Sequence, residues 1–519
     1  MIKRIVEKDQ YFDSVFLMLI NSEIKELEGV NNAVVSMGTE MNIQLLNDMN
    51  FADESVLAAT PNDLIVVIEC RDEETGEKAV AAVYSLLNKK KEKSSGQIYR
   101  PKSLQSAVRE NPDANLVLIS LPGEFAAREA RSALEKGLNV MLFSDNVSVE
   151  QEIALKELAL EKGLLMMGPD CGTAIINGQP LCFANVVSPG DIGIVGASGT
   201  GIQEVTCCID TFGGGITQAI GTGGRDLKDA RIGGKMMLLG IEALRNDPST
   251  KILVVISKPP AADVAEKVLS ALEETGKPAV VHFIGQEPEK GRKGLYFAVS
   301  LEETARIAVD LSKGVTPSAS TFSMPEVEIR QIVERESAKL ASSQKYLRGL
   351  YTGGTVADEA LILFEREGVT VYSNNQKKEE LQLPDPFVSK EHTIVDLGDD
   401  IYTVGRPHPM IDPSTREERI NIEADDPSMA VMLLDIVLGY GSHHDPAGAI
   451  IKSLKAAKDK AAARGGYLPI VASVVGTEQD FQGYAATVSK LESIGCVVMP
   501  SNFQASMMAL EIMKKAGSL

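Results

Sequence analysis

With 519 residues, 44 glycines and no tryptophan, the chain is too long for one hydrophobic core and predicts three or four α/β modules of roughly 100 to 170 residues each. A formal charge of -20 excludes a nucleic-acid backbone or an anionic membrane as a partner, and any anion that binds needs a local pocket. The six cysteines include no CxxC pair and only Cys207-Cys208 are adjacent, which excludes a disulfide framework or a zinc site as an expectation.

The opening MIKRIVEKDQYFDSV carries charges where a signal peptide has an apolar run, and no apolar stretch in the chain reaches the roughly 20 residues of a membrane span. A soluble, cytoplasmic protein is expected. Short apolar runs alternate with segments of helical period, which predicts an α/β fold with mostly parallel sheets buried by crossover helices. Residues 1–96 read as strand (3–7), helix (13–27), strand (33–37), helix, strand (63–70) and helix, closing in the polar run 89–96, which reads as a linker. Residues 97–185 place strands at 116–120, 140–143 and 164–167, with helices at 124–136 and 149–162. Residues 186–315 open on Asp191-Ile-Gly-Ile-Val-Gly196 and continue through strands at 252–256 and 279–283; a connector fills 312–345. Residues 346–519 start at Gly349-Leu-Tyr-Thr352 and run through 393–397, 431–437, 470–473 and 497–498. This last module repeats the one before it, since Gly199-Thr200 and Gly354-Thr355 each follow a short strand and open a helix.

Those two turns are the main candidates for chemistry. In GASGTGIQE the backbone amides of Ser198, Gly199 and Thr200 can converge on one anion at the positive end of a helix, and in TGGTVADEA those of Gly353, Gly354 and Thr355 can do the same. A lone glycine turn is better explained by tight chain reversal, but two matching turns favour phosphate. Other glycine-rich strand ends share the crevice beyond the strands' carboxyl ends: 166–173, Gly221-Thr-Gly-Gly-Arg-Asp-Leu227, Ser257-Lys-Pro-Pro260 and Asp396-Leu-Gly-Asp-Asp400. Gly223, Gly224, Arg225 and Asp226 are substrate-binding candidates, and Lys258 supplies a point charge; a surface ion pair is the competing reading for each cation. The loop Gly405-Arg-Pro-His-Pro-Met-Ile-Asp-Pro413 is stiffened by prolines and presents Arg406, His408 and Asp412 for substrate positioning, or is an ordinary loop. His443-His444-Asp445 leaves an acid/base or metal role open, without a third ligand at sensible spacing; no metal site is expected.

The motifs LISLPGEFAAREA, LFSDNVSVEQEI, MMGPDCGTAI, GIVGASGTGIQE, GTGGRDL, GLYTGGT, IVDLGDDIYTVGRPHPMIDP and DIVLGYG occur in that order. From residue 116 onward they resemble succinyl-CoA synthetase, with its α-subunit pattern in 116–311 and the C-terminal domain of its β-subunit in 349–515. The whole chain resembles the FdrA family. The resemblance implies Rossmann-like (CoA-binding-like) and flavodoxin-like modules and phosphate or acyl phosphate held between two facing helix starts. Partner subunits encoded nearby and an oligomer are implied too. Lys258, His408 and Arg406 become candidate catalytic groups.

Three departures from the synthetase stand out. The loop at 284–294 has no histidine where the synthetase carries a phosphorylated one. Lys258 stands where the family has a glutamate, and 312–345 is too short for an ATP-grasp domain. No glycine-rich CoA loop is evident in 34–45, which leaves CoA binding open. FdrA relatives are associated with oxamate carbamoyltransferase, so carbamoyl transfer from oxalurate to phosphate is the activity the resemblance implies. An acyl-CoA synthetase subunit and a non-catalytic scaffold of the same fold are the alternatives.

Overall fold

A computed structural model describes residues 1–519 except 11, 13, 26, 50, 94–100, 102, 290, 318–321 and 405, and the chain divides into two compact units, Met1–Glu110 and Asn111–Leu519. Among the described residues no helix is long and apolar enough to cross a membrane.

The first unit departs from the expected parallel pattern. Its strands Ile2–Glu7 and Val30–Met37 are joined by the crossover helix Ser14–Lys25, but Leu64–Cys70 fills the gap between them and pairs antiparallel with both. This is a split βαβ, in which a helical crossover spans one strand position and leaves it to be filled from the opposite direction. Ala33, Val35 and Met37 alternate inward and pack on Leu17, Ile20 and Ile24 of the crossover helix. The helix Glu73–Lys93 runs through residues 89–93, which the polar composition assigned to a linker; lysine and glutamate are good helix formers whether or not they are buried. Residues 94–96 of that predicted linker lie outside the described residues.

Among its described residues the second unit holds three sheets. A small parallel sheet orders Leu116–Ile119, Asn139–Leu142 and Met166–Met167. The hairpin Thr173–Ile176 and Gln179–Cys182, placed with that module by the 185 boundary, instead extends the next sheet by pairing antiparallel with Ile216–Gly221. The remainder of that sheet is parallel and runs Ile216–Gly221, Pro189–Ala197, Ile252–Ser257, Ala279–Phe283, Leu295–Phe297, which is the strand order 2-1-3-4-5. The last sheet runs Thr393–Asp396, Tyr346–Tyr351, Met429–Val437, Ile470–Val475, Val497–Met499, also 2-1-3-4-5 and parallel throughout. The expected repeat is therefore present at the level of topology. Both modules are flavodoxin-like, and in each the helix after the first strand starts at the switch point where such folds hold ligands.

Strands such as ILVVIS and MAVMLLDIV are buried along their whole length because helices cover both faces. A common apolar core joins the modules, with Ile202 and Val205 on one side and Val356, Ala357 and Ala360 on the other. Asn185, in the segment leaving the hairpin, donates to Leu438 O (3.0 Å) and Asp480 Oδ2 (2.8 Å) and so ties the two modules again by polar contacts.

Candidate anion-binding crevice

Strand Pro189–Ala197 ends at Ser198, which leads into helix Gly199–Thr211 in extended conformation (φ -164°, ψ 105°) without capping it through its side chain. Strand Tyr346–Tyr351 leads in the same way through Gly353 (φ -104°, ψ 112°) to helix Gly354–Arg366, again with no side-chain cap. A helix start lacks intrahelical acceptors for its first amides, and here neither start supplies its own. The two starts meet face to face: Ser198 Oγ and Thr355 Oγ1 are 2.7 Å apart, and Thr355 N donates to Thr200 Oγ1 at 3.2 Å. Gly353 is required by this approach, since a Cβ there would lie 2.8 Å from Thr200 Cγ2.

The turns differ in how many amides they leave for a ligand. Asp435, a lone carboxylate in the buried strand Met429–Val437, accepts from Thr352 N (2.9 Å) and Gly353 N (2.8 Å) and pairs with buried Arg416. Gly353 is thereby withdrawn from the predicted phosphate set, and Thr355 N is committed to Thr200. Gly199, Thr200 and Gly354 stay half-buried at the mouth.

Four charged groups line that mouth. Lys258 Nζ pairs with Asp358 Oδ2 at 2.7 Å, bridging the modules. Burial works against the ammonium, but Asp358, Asp396 and Asp170 outweigh it and hold Lys258 above the ordinary lysine value. Asp396 lies over the second helix start, its Oδ2 2.4 Å from where a Gly354 Cβ would stand, and accepts from Asn375 Nδ2 (3.0 Å) and Gly398 N (2.9 Å). Burial pushes Asp396 up to about 7 against the opposing pull of Lys258. Asp170 is exposed at the rim. A carboxyl poised near neutrality beside a cation and a helix start is suited to proton transfer. In the sequence Asp396 stands only at the start of a glycine-rich strand end, and Asp358 is marked only by falling, like Gln203, at the fifth position of its helix.

The other predicted residues are placed as follows. Arg225 Nε pairs with Glu152 (2.9 Å), its NH2 group donates to Val147 O (2.8 Å), and the residue lines a cavity of about 350 Å³ with Lys228 and Asp229. Gly223 and Gly224 back onto the 168–170 turn. Asp226 turns inward: it is fully buried, pairs with Lys156 at 2.8 Å and accepts from Met237 N at 2.9 Å, so it holds the loop and faces no ligand. Arg406 forms an exposed pair with Glu418 (2.7 Å), the competing reading for such a cation, and Asp412 caps Ser414 N at 3.0 Å. His408 stacks on Phe183 with ring centroids 5.3 Å apart and accepts from Met410 N through Nδ1. Burial lowers it to about 4, so it is a neutral ring at physiological pH and a poor proton carrier. His443 and His444 stack at 4.2 Å, and no group of metal ligands occurs among the described residues.

These shifts predict a pH dependence. Asp396 and two further buried acids, Glu204 and Glu359 at about 8 and 7, bind protons more tightly folded than unfolded. Stability is therefore expected to rise as pH falls from 8 towards 6.5. Below that, His282 and His408, both lowered to about 4, oppose it. Thermal unfolding at constant ionic strength checks this; a melting temperature that climbs steadily from pH 6.5 to 8 contradicts it.

Residues 1–102 match the family "AllF, heavy metal-associated domain", 187–285 the "CoA binding domain" and 350–512 "CoA-ligase". The uncharacterized protein YahF of Escherichia coli K12 is 46% identical over 517 residues, 99% of each chain. The chain belongs to the YahF family, with the domain set of FdrA-like acyl-CoA synthetases. The subunit alpha 2 of an ADP-forming succinate–CoA ligase from Archaeoglobus fulgidus is 25% identical, covering 44% of this chain and 79% of that one. Subunit SauD of an ADP-forming sulfoacetate-CoA ligase from Bilophila wadsworthia is 26% identical over 37% of this chain and 66% of its own length. The ATP citrate lyase of Methanothrix soehngenii aligns with a TM-score of 0.36 at 20% identity over 44% of this chain, which spans 43% of that one.

The metal named for the first-unit family does not fit the residues present. The single cysteine of that unit, Cys70, is buried with Sγ directed to backbone carbonyls, and the turn after the first strand is closed by Asp63 accepting from Lys8 Nζ at 2.9 Å and Asp9 N at 3.1 Å.

Proposed function

We propose that the chain is the acyl-transferring subunit of a carboxylate–CoA-ligase-like enzyme, in which an acyl phosphate is held across the two facing helix starts while its acyl group passes to coenzyme A. The observation that carries this is the pair of helix starts without a side-chain cap of their own, in hydroxyl contact from Ser198 to Thr355 at 2.7 Å, with Lys258 paired to Asp358 of the second helix. The thiol sulfur attacks the acyl carbon, the carbon–oxygen bond to phosphorus breaks, and phosphate leaves with the electron pair. The amides of Gly199, Thr200 and Gly354 and the Lys258 ammonium stabilise that charge as it develops. Asp396 takes the thiol proton. Among the described residues the connector before Tyr346 contains one helix, Glu326–Ser337, so the acyl phosphate comes from a partner subunit that binds ATP.

A second activity, carbamoyl transfer from oxalurate to phosphate, is favoured by one observation: Lys258 stands where the family's glutamate orients a histidine, and 284–294 offers no histidine. The same crevice then binds inorganic phosphate as the acceptor. One reconstitution with the proteins encoded beside this one separates the two. Thioester formed only with CoA and ATP supports the ligase, and carbamoyl phosphate formed from oxalurate without CoA supports the transferase. A Ser198→Ala/Gly354→Val double variant that keeps full turnover would sink both.

A further inference from the structure

Glu204 and Glu359 are the sixth residues of the helices Gly199–Thr211 and Gly354–Arg366, and the two side chains cross between modules in opposite directions. Glu204 Oε1 accepts from Asn502 N at 2.8 Å, the first residue of helix Asn502–Ala516, which closes the second flavodoxin-like module. Glu359 Oε1 accepts from Leu301 N at 2.7 Å, the first residue of helix Leu301–Ser312, which closes the first. The serine caps repeat as well: Ser300 Oγ accepts from Glu303 N and Ser501 Oγ from Gln504 N, both at 3.1 Å. Each closing helix therefore has one early amide satisfied by its own serine and its first amide satisfied by a glutamate of the other module. Asn502 joins the two halves, because its Nδ2 donates to Glu359 Oε2 at 2.8 Å and to Val356 O at 2.9 Å.

Both glutamates are almost fully buried, 2% and 5% exposed, and neither forms an ion pair among the described residues. The neighbouring carboxylate, Glu302, is occupied by Arg306 and Gln504. Asp435 also lies within electrostatic reach of Glu204, and burial among these acids holds both glutamates well above the ordinary range. Burying an acid without a cation is costly. What the arrangement gains is directional: a carboxylate fixed to a helix start satisfies an orphan amide and sets the angle at which that helix approaches.

We propose that Glu204 and Glu359 are positioning residues that form a reciprocal latch, each capping the other module's last helix and so fixing the two glycine turns in contact. The anion function of the turns rests on the activity proposed above; the latch itself is a statement about their register. The test uses the full chain carrying Ser198→Cys and Thr355→Cys, whose sulfurs replace two oxygens in contact and come within bonding reach. The pair is oxidised with oxidised dithiothreitol, which takes up the two electrons and two protons, and closure is followed by intact mass.

Adding Glu204→Ala or Glu359→Ala is expected to slow closure at least about tenfold, as loss of a buried acceptor loosens the contact. Glu204→Gln, which keeps an acceptor for Asn502 N, is expected to stay within about twofold. Closure of the alanine variants at the parent rate, with native circular dichroism, overturns the latch. If the alanine variants do not fold, hydrogen exchange on the unmodified chain decides: slow exchange at Leu301 and Asn502 supports the latch, and exchange at the rate of exposed first-turn amides overturns it. Titration of the unmodified chain with inorganic phosphate is the separate check on the anion function, so a latch that holds in a chain that binds no phosphate refutes only the proposed activity.

Discussion

Lys258→Met is expected to lower kcat/KM in the reconstituted enzyme by about 10² to 10³, the loss seen when one preorganised charge-stabilising donor is removed from a developing oxyanion. The ammonium sits between Asp358, Asp396 and Asp170, and it is the cation that restrains Asp396 from rising further. Its removal should therefore also move the titration of Asp396 upward, shifting the acid limb of the pH–rate profile to higher pH. The second readout separates chemistry from folding, since a merely destabilised enzyme loses activity without moving its profile. Lys258→Arg retains the charge but not the compact point geometry and should recover part of the rate. Unchanged kcat/KM in Lys258→Met would remove the lysine from the mechanism.

Asp435→Ala is expected to have the largest effect on stability. It leaves Thr352 N and Gly353 N without their acceptor and the buried Arg416 guanidinium without its counter-charge, with the neutral Leu350 O still accepting from it. Breaking one side of a buried ion pair costs about 3–5 kcal/mol, read here in the unfolding transition of the second unit by denaturant titration. Asp435→Asn, which keeps an acceptor for the two amides and loses the charge, should cost less. A change below about 1 kcal/mol for the alanine variant would mean that Arg416 and the turn amides find other partners.

The sequence is legible where a single interaction decides the structure. Alternating apolar runs and helical periods gave the central strands of the second unit but not the hairpin Thr173–Ile176 and Gln179–Cys182 or the edge strand Leu295–Phe297, and the repeated Gly-Thr after a short strand located both glycine turns and predicted the duplicated module that the two 2-1-3-4-5 sheets display. It is illegible where distant segments compete for one position. In the first unit, nothing local to Leu64–Cys70 says that it inserts antiparallel between two strands already linked by a crossover. The polar residues show the same limit. Asp226 and Arg225 look alike in GTGGRDL, yet Lys156, seventy residues earlier, draws Asp226 inward while Arg225 stays half-exposed. Asp435 and the two glutamates were visible in principle: one is a lone acid in an apolar strand, and the others fall at matched positions of the repeat. A buried acid needs a partner, and that partner could not be named from one sequence.

Anomalous scattering from tungstate, a phosphate-like dianion, soaked into crystals of the full chain is the most direct measurement. The expected result is one peak within hydrogen-bonding distance of the Gly199, Thr200 and Gly354 amides and near Lys258 Nζ, weakened in Lys258→Met. Peaks confined to other surfaces, with Asp396 still seated over Gly354, would contradict an anion shared by the two helix starts.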